Sequence, residues 1–218
     1  MRAPVKLKAL SRLALLTLLA CRPTHPAPPK AALPPLMVWA WERPEDLSFL
    51  DPATTGVAVL SQTITLTPGA FDTHLRQQPV KLPEGIARLA LTRIEHGPES
   101  ALPQTQEARA ALVRQLMLPI RREPTQGRLV GLQIDFDARE SEYPAYAALL
   151  AEVRAELPRP LLLSATGLAS WCTEKPWFVE TPVDLWVPQF FRMGRDFKAF
   201  RDRLIAAGKP KMVALIAV

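Results

Sequence analysis

Seven short apolar runs, at 36–41, 56–60, 88–95, 129–137, 160–166, 185–191 and 211–217, punctuate the chain, and helical patterns separate several of them. Helices are expected at 104–118, 144–157 and 196–207, each closing near a Gly or Pro ahead of the next run. A parallel strand pair needs a long crossover, and a helix that supplies it also covers one face of the sheet, so this alternation predicts a parallel α/β fold. Seven strands with crossovers point to a TIM-type (β/α) barrel lacking its last repeat, with an open doubly wound sheet as the alternative. Segment 61–84 departs from the scheme. Thr, Ile and Leu alternate around 63–66 and Pro68-Gly69 makes a turn, so it reads as an excursion of extended chain. Ser141 is placed to cap the second helix, and Gly208 with Pro210 to stop the third.

The first 36 residues stand outside that pattern. Arg2, Lys6, Lys8 and Arg12 come with no acid, and 13–20 is apolar apart from Thr17, as in a secretory signal segment at 1–20. The apolar run is far short of the roughly 18–20 residues of a membrane-spanning helix. Leu18-Leu19-Ala20-Cys21 resembles a lipobox, in which the cysteine thiol receives diacylglycerol and becomes the new amino terminus, so Cys21 is the expected lipidation site. A plain signal segment with an incidental Cys21 is the alternative. Prolines at 23, 26, 28, 29, 34 and 35 make 21–36 an extended linker, and 37–218 forms the barrel domain. The expected location is extracytoplasmic, on a membrane through a lipid anchor. Arg22 is not the Asp associated with inner-membrane retention, which favours the outer membrane.

Charge then bears on partners. Of 27 basic residues four leave with the signal, leaving 23 against 21 acids, so the formal +6 falls to +2 and no nucleic-acid partner is expected. Of the two cysteines only Cys172 remains, flanked by Trp171 and Thr173, and it reads as a small buried apolar residue. His25, His74 and His96 share no metal-ligand spacing, and there is no glycine-rich phosphate loop or GxSxG elbow, so neither metal nor cofactor is expected. The basic pair Arg121-Arg122 reads as a solvated loop.

Chemistry concentrates on the fourth run. In GLQIDFDAR, from Gly131, the two-residue period puts Leu132, Ile134 and Phe136 on one face and Gln133, Asp135 and Asp137 on the other. In a barrel the apolar face meets the helices and the polar one points inward. Both acids fall at the carboxyl end of the strand, where barrel enzymes build their sites. Two carboxylates crowded there repel, so one is expected to hold its proton near neutral pH. Neighbouring runs also end polar: Trp41 and Glu42 on the first, Arg93 and Glu95 on the third, Ser164 and Thr166 on the fifth, Gln189 and Arg192 on the sixth. Trp39, Trp41, Trp171, Trp177 and Trp186 lie on or just beyond strands, and aromatic faces beside carboxylates suit a sugar, whose C–H faces pack on rings. Taken singly, each tryptophan is more often core, and each aspartate more often a loop cap or a partner of Arg139 or Arg192.

Several blocks carry a resemblance. Val38-Trp39-Ala40-Trp41-Glu42-Arg43-Pro44-Glu45-Asp46-Leu47, GLQIDFDARESE from Gly131, Leu168-Ala169-Ser170-Trp171-Cys172, and VDLWVPQFFRMG from Val183 look like a bacterial lipoprotein family known only as a domain of unknown function. More remotely, Asp135-Phe136-Asp137 is similar to the D-x-D-x-E strand of chitinase-type glycoside hydrolase barrels, whose final Glu protonates the leaving oxygen. Here that position is Arg139, and Glu140 comes one residue late. The resemblance implies a glycoside-hydrolase-like domain acting on or binding a polysaccharide or oligosaccharide of the envelope or extracellular space. Asp137 takes the acid/base or electrostatic role, Asp135 orients it, and Glu42 or Glu95 supplies the second carboxylate. Trp41, Arg93, Gln189 and Arg192 bind substrate. The alternative is a non-catalytic barrel that binds glycan or protein in envelope assembly, favoured by Arg139 and by the missing repeat.

Overall fold

The computed structural model describes residues 33–122, 127–168, 171, 177–189, 198 and 202. Outside them lie the signal segment, most of the linker, Cys21, Cys172, Arg192 and the strand expected at 211–217. Of the helix expected at 196–207, only Lys198 and Asp202 are described, and both are helical.

Six strands form a parallel sheet in chain order: β1 (Leu36–Ala40), β3 (Thr55–Thr67), β6 (Ala87–His96), β7 (Arg128–Phe136), β8 (Leu162–Leu168) and β9 (Leu185–Gln189). Each successive strand adds beside the last, without the reversal of direction that defines a doubly wound sheet, so that alternative is set aside. The sheet is also curled. The Trp39 indole on β1 donates to the Gln133 side chain on β7 at 2.8 Å, although three interstrand steps, roughly 14 Å in a flat sheet, separate the two strands. Two bulges, at Ser61 in β3 and at Val130 in β7, supply bending, since an extra residue on one strand sharpens its local twist. The architecture among the described residues is a curled half-barrel.

Among the described residues, full crossover helices occupy two connections. α1 (Gln106–Leu116) joins β6 to β7, followed by the short α2 (Leu118–Arg121), and α3 (Tyr143–Glu156) joins β7 to β8. Thr105 caps α1, its hydroxyl accepting from the Ala108 N–H at 3.2 Å. Ser141 does not cap α3. A 3₁₀ turn at Glu140–Glu142 absorbs it, and the helix starts at Tyr143 with Pro144 in its first turn, where a missing N–H costs nothing. Between β1 and β6 extended chain takes the place of helix. Segment 61–84 is indeed an excursion: β3 outruns β1 and folds back as β4 (Ala70–Leu75) through Pro68-Gly69, with Gly69 at φ +75°. Beyond it β5 (Val80–Lys81) pairs with β2 (Glu45–Asp46).

The two faces of the sheet divide the core. Outward, Ile64, Ile94, Ile134 and Phe136 pack against Leu112 and Leu116 of α1 and Tyr146, Leu149 and Val153 of α3. On the outer face of β1 and β3, where no helix packs among the described residues, Leu47, Leu50, Val80 and Leu82 cover Val38, Val57 and Val59. Inward, Met37, Trp39, Ala58, Leu60, Leu89, Leu91, Val130 and Val187 form a second apolar cluster lining the concave side. That lining is apolar toward the amino ends of the strands and turns polar toward their carboxyl ends, and the carboxyl rim holds the candidate site.

Candidate functional site

Two polar layers stand on the apolar lining. In the lower layer Gln133 of β7 accepts from Trp39 and donates to the Ser164 hydroxyl of β8 at 3.0 Å, so the fully buried amide is used at both ends. Two residues on along β7, Asp135 begins the upper layer. It is 7% exposed, and one of its oxygens accepts from the Thr166 hydroxyl at 2.6 Å and the Gln189 amide at 2.7 Å. Arg93 on β6 stands in register with it, its Nε 3.9 Å from the other carboxylate oxygen and 2.8 Å from Glu95. The Arg93 guanidinium also lies over the Trp41 ring, 5.7 Å from its centre. One cation thus spans two carboxylates and an aromatic face.

Asp137 follows the end of β7 and is exposed at the rim. Burial raises the Asp135 carboxyl above its ordinary 3.8. The Thr166 hydroxyl pulls it back, the negative charge of Asp137 adds to the rise, and Arg93 and Gln189 oppose it. Asp137 is raised too, by partial loss of solvent, against the pull of Arg93 and His96. Two neighbouring carboxyls that both resist ionising are groups suited to holding and passing a proton.

The structure brings Trp41, Arg93, Glu95, Asp135, Asp137 and Gln189 to one rim. Glu42 is engaged elsewhere: its carboxylate accepts the backbone N–H groups of Gln77 and Gln78 at 2.9 and 3.0 Å, and so fastens the end of β1 to the chain leaving β4. Arg192 lies outside the described residues. Arg139, the residue in the place of the chitinase-type acid, donates to the Ser100 carbonyl at 2.8 Å. Of the tryptophans, Trp171, Trp177 and Trp186 form an aromatic cluster with Tyr143, Tyr146 and Phe178 on the helix side of the sheet, which makes them core. Only Trp39 and Trp41 serve the concave side.

Two supporting residues lie outside the sequence-based expectation. Glu142, with a side chain 3% exposed, accepts from the N–H groups of Leu102 at 2.7 Å and Arg139 at 2.9 Å, and bonds the His96 ring at 2.9 Å. Burial works to raise its carboxyl, and these donors outweigh it, so it is held below its ordinary 4.5. Because Arg139 is two residues past Asp137, this clasp fixes the loop that presents the acid. Arg76 does the same for Trp41, donating to the carbonyls of Trp41, Arg43 and Gln78. A backward reach from Glu142 to the third residue before it is the one local signal, a capping-box spacing without a Ser or Thr at its start.

Among the described residues no cluster of His, Cys, Asp and Glu is arranged to hold a metal ion. No protein-family model and no curated protein matches the chain. Solved structures do. The chain is similar to the chitinase domain of the spore coat protein CotE from Clostridium difficile, at TM-score 0.53 and 14% identity, over 83% of this chain and 64% of that one. It is also similar to the spore cortex-lytic enzyme SleL of Bacillus cereus, at TM-score 0.50 and 11% identity, over 82% of this chain and 50% of that one. The chain spans less than two thirds of either neighbour, and at these identities the likeness is one of fold: the half-barrel shares the backbone architecture of chitinase-type and cortex-lytic enzymes.

Proposed function

We propose that the carboxyl rim binds a polysaccharide and that Asp137 serves there as the proton donor of a glycoside-hydrolase-like reaction. The observation that carries this reading is the pair of carboxyls at the end of β7: Asp135 buried and doubly hydrogen-bonded, Asp137 just past the strand and exposed, both carboxyls raised. A protonated Asp137 would deliver its proton to the glycosidic oxygen, and its partial loss of solvent discourages ionisation. Trp41 offers a ring for a sugar face, and Gln189 and Arg93 offer donors to hydroxyls. Glu95 is the candidate second carboxylate, held by Arg93 on the same rim. That the structural neighbours are a chitinase domain and a cortex-lytic enzyme supports a carbohydrate-related role and directs attention to glycans built from amino sugars.

Chitin and peptidoglycan are therefore the first substrates to try, with the wild-type chain beside Asp137→Asn. Loss of the general acid is expected to slow product release by about 10²–10⁴-fold with binding retained. Equal rates in the two proteins, or no product from either, would end the hydrolase reading.

A second reading has its own support. Glu42 is spent on main-chain N–H groups and Glu95 is ion-paired, so no second carboxylate stands free at the rim among the described residues. A non-catalytic glycan-binding module is then the reading, and glycan binding without turnover, weakened by Trp41→Ala, is its signature. In either case we place the domain outside the cytoplasmic membrane on a lipid at Cys21, with the outer membrane favoured by Arg22. Incorporation of labelled palmitate, abolished in Cys21→Ser, is the expected result. A soluble, unlabelled wild-type protein would refute it.

A further inference from the structure

Among the described residues, the buried arginines follow a rule with one exception. Arg109 bonds Glu152 through two of its nitrogens, at 3.1 and 2.8 Å, and donates to the Gln104 carbonyl at 2.7 Å. Arg154 pairs with Asp184 at 3.1 Å and donates to the carbonyls of Leu157 and Leu161. Arg88 is as buried as either, at 4% exposure, yet among the described residues its Nε and Nη2 have no hydrogen-bond partner and no acid pairs with it. Burial lowers its guanidinium to about 10, and no carboxylate among the described residues offsets the effect.

The position explains how such a group persists. Arg88 alternates with the inward Ala87 and Leu89 on β6, so it points to the outer face of the sheet, away from the carboxylate rim. There it lines a cavity of about 240 Å³ between β6, the bulge at Ser61, the end of β4 and the short α2. Arg76 and Arg122 line the same cavity, and none of its described lining residues is acidic. The Arg76 guanidinium is committed to main-chain carbonyls, so it contributes charge more than free donors. Arg122, which as part of a basic pair reads from sequence as a solvated loop residue, is exposed at the margin of the cavity.

We propose that this cavity is a binding site for a small oxyanion, a phosphate or a carboxylate group, with Arg88 as its principal ligand and Arg122 as its outer wall. An unpaired buried cation costs folding free energy, and an apolar residue of similar length would remove that cost. The missing partner is an acceptor that presents two oxygens to a planar fork of N–H donors, which is the geometry phosphate and carboxylate share. The cavity is smaller than a typical pocket for a drug-sized ligand, which limits the occupant to one such group and its nearest atoms.

Calorimetric titration of the full chain with inorganic phosphate and, separately, with acetate, at constant ionic strength set by chloride, tests the site. Saturable binding of at least one anion is expected, with a matching rise in Tm. Phosphate alone would assign a phosphoryl ligand, acetate alone a carboxylate one. Arg88→Met should weaken binding by about tenfold or more while leaving the anion-free Tm equal or higher. Arg122→Gln, at an exposed position that leaves the fold intact, should weaken it several-fold. No saturable binding of either anion, undiminished binding in Arg88→Met, or, should that variant not fold, undiminished binding in Arg122→Gln would overturn the proposal.

Discussion

Asp135 is the residue on which the rim turns, and its environment has a measurable consequence. Its folded-state carboxyl sits above the ordinary 3.8, so the group favours the folded state most below the unfolded value, and that contribution is lost as pH rises through the folded value. Ionising it leaves the folded chain with a buried negative charge that it resists. Asn at 135 keeps an oxygen for Thr166 and Gln189 and removes the charge. Asp135→Asn is therefore expected to stabilise the protein at pH 7 by on the order of 1 kcal/mol, with the gain disappearing below about pH 4. Chemical denaturation of both proteins across that range checks it, and a variant less stable at pH 7 would contradict the assigned environment. Asp137, exposed one step above, owes its own rise to partial loss of solvent and carries the proposed chemistry.

At the scale of elements, β7 decides the geometry, because it carries Gln133 and Asp135 and pairs with the strands on both sides. Its pairing with β8 aligns Gly131 with Leu162 and leaves no room for a side chain. A β-carbon at Gly131 would overlap the Leu162 carbonyl oxygen and stand 3.0 Å from that residue's own β-carbon. Gly131→Ala must push the strands apart, at a cost of about 1–3 kcal/mol typical of overpacking. The denaturation midpoint should fall accordingly with the slope unchanged. An unaltered midpoint would mean that the β7 and β8 backbones are not so closely apposed. The same displacement separates Asp135 from Thr166, so glycan affinity should fall together with stability.

For the whole molecule the curl is the property that matters, since a flat sheet would leave Trp39 and Gln133 on strands three apart and out of reach. Their hydrogen bond gives the curl an energetic signature. In a double-mutant cycle of Trp39→Phe and Gln133→Met, a coupling free energy of about 0.5–1.5 kcal/mol is expected. Strict additivity would show that β1 and β7 do not meet across the concave face. The curl also brings Gln189 to Asp135 over the intervening β8, and so assembles the upper polar layer.

Strand alternation was readable directly, because a period of two is a property of the extended backbone whatever packs against it. It assigned Leu132, Ile134 and Phe136 to the helix side and Gln133 and Asp135 to the concave side, and it located the end of β7 to within a residue. The excursion at 61–84 was legible for the same reason, through alternating Thr, Ile and Leu and a Pro-Gly turn. What covers the outer face of β1 and β3 was not legible, since Leu47, Leu50, Val80 and Leu82 show no helical or strand period and find their use only against β1 and β3. Nor could local pattern separate Glu42 from Glu95. Both are acids at strand ends, and what distinguishes them is a pair of N–H groups 35 and 36 residues away in one case and an arginine two residues before it in the other. The identity and polarity of the rim residues belong to the sequence. Their partnerships, Trp39 with Gln133 at a separation of 94 residues and Gln189 with Asp135 at 54, belong to the curled sheet, because hydrogen bonds act over a few ångströms and only tertiary structure brings such distant residues that close.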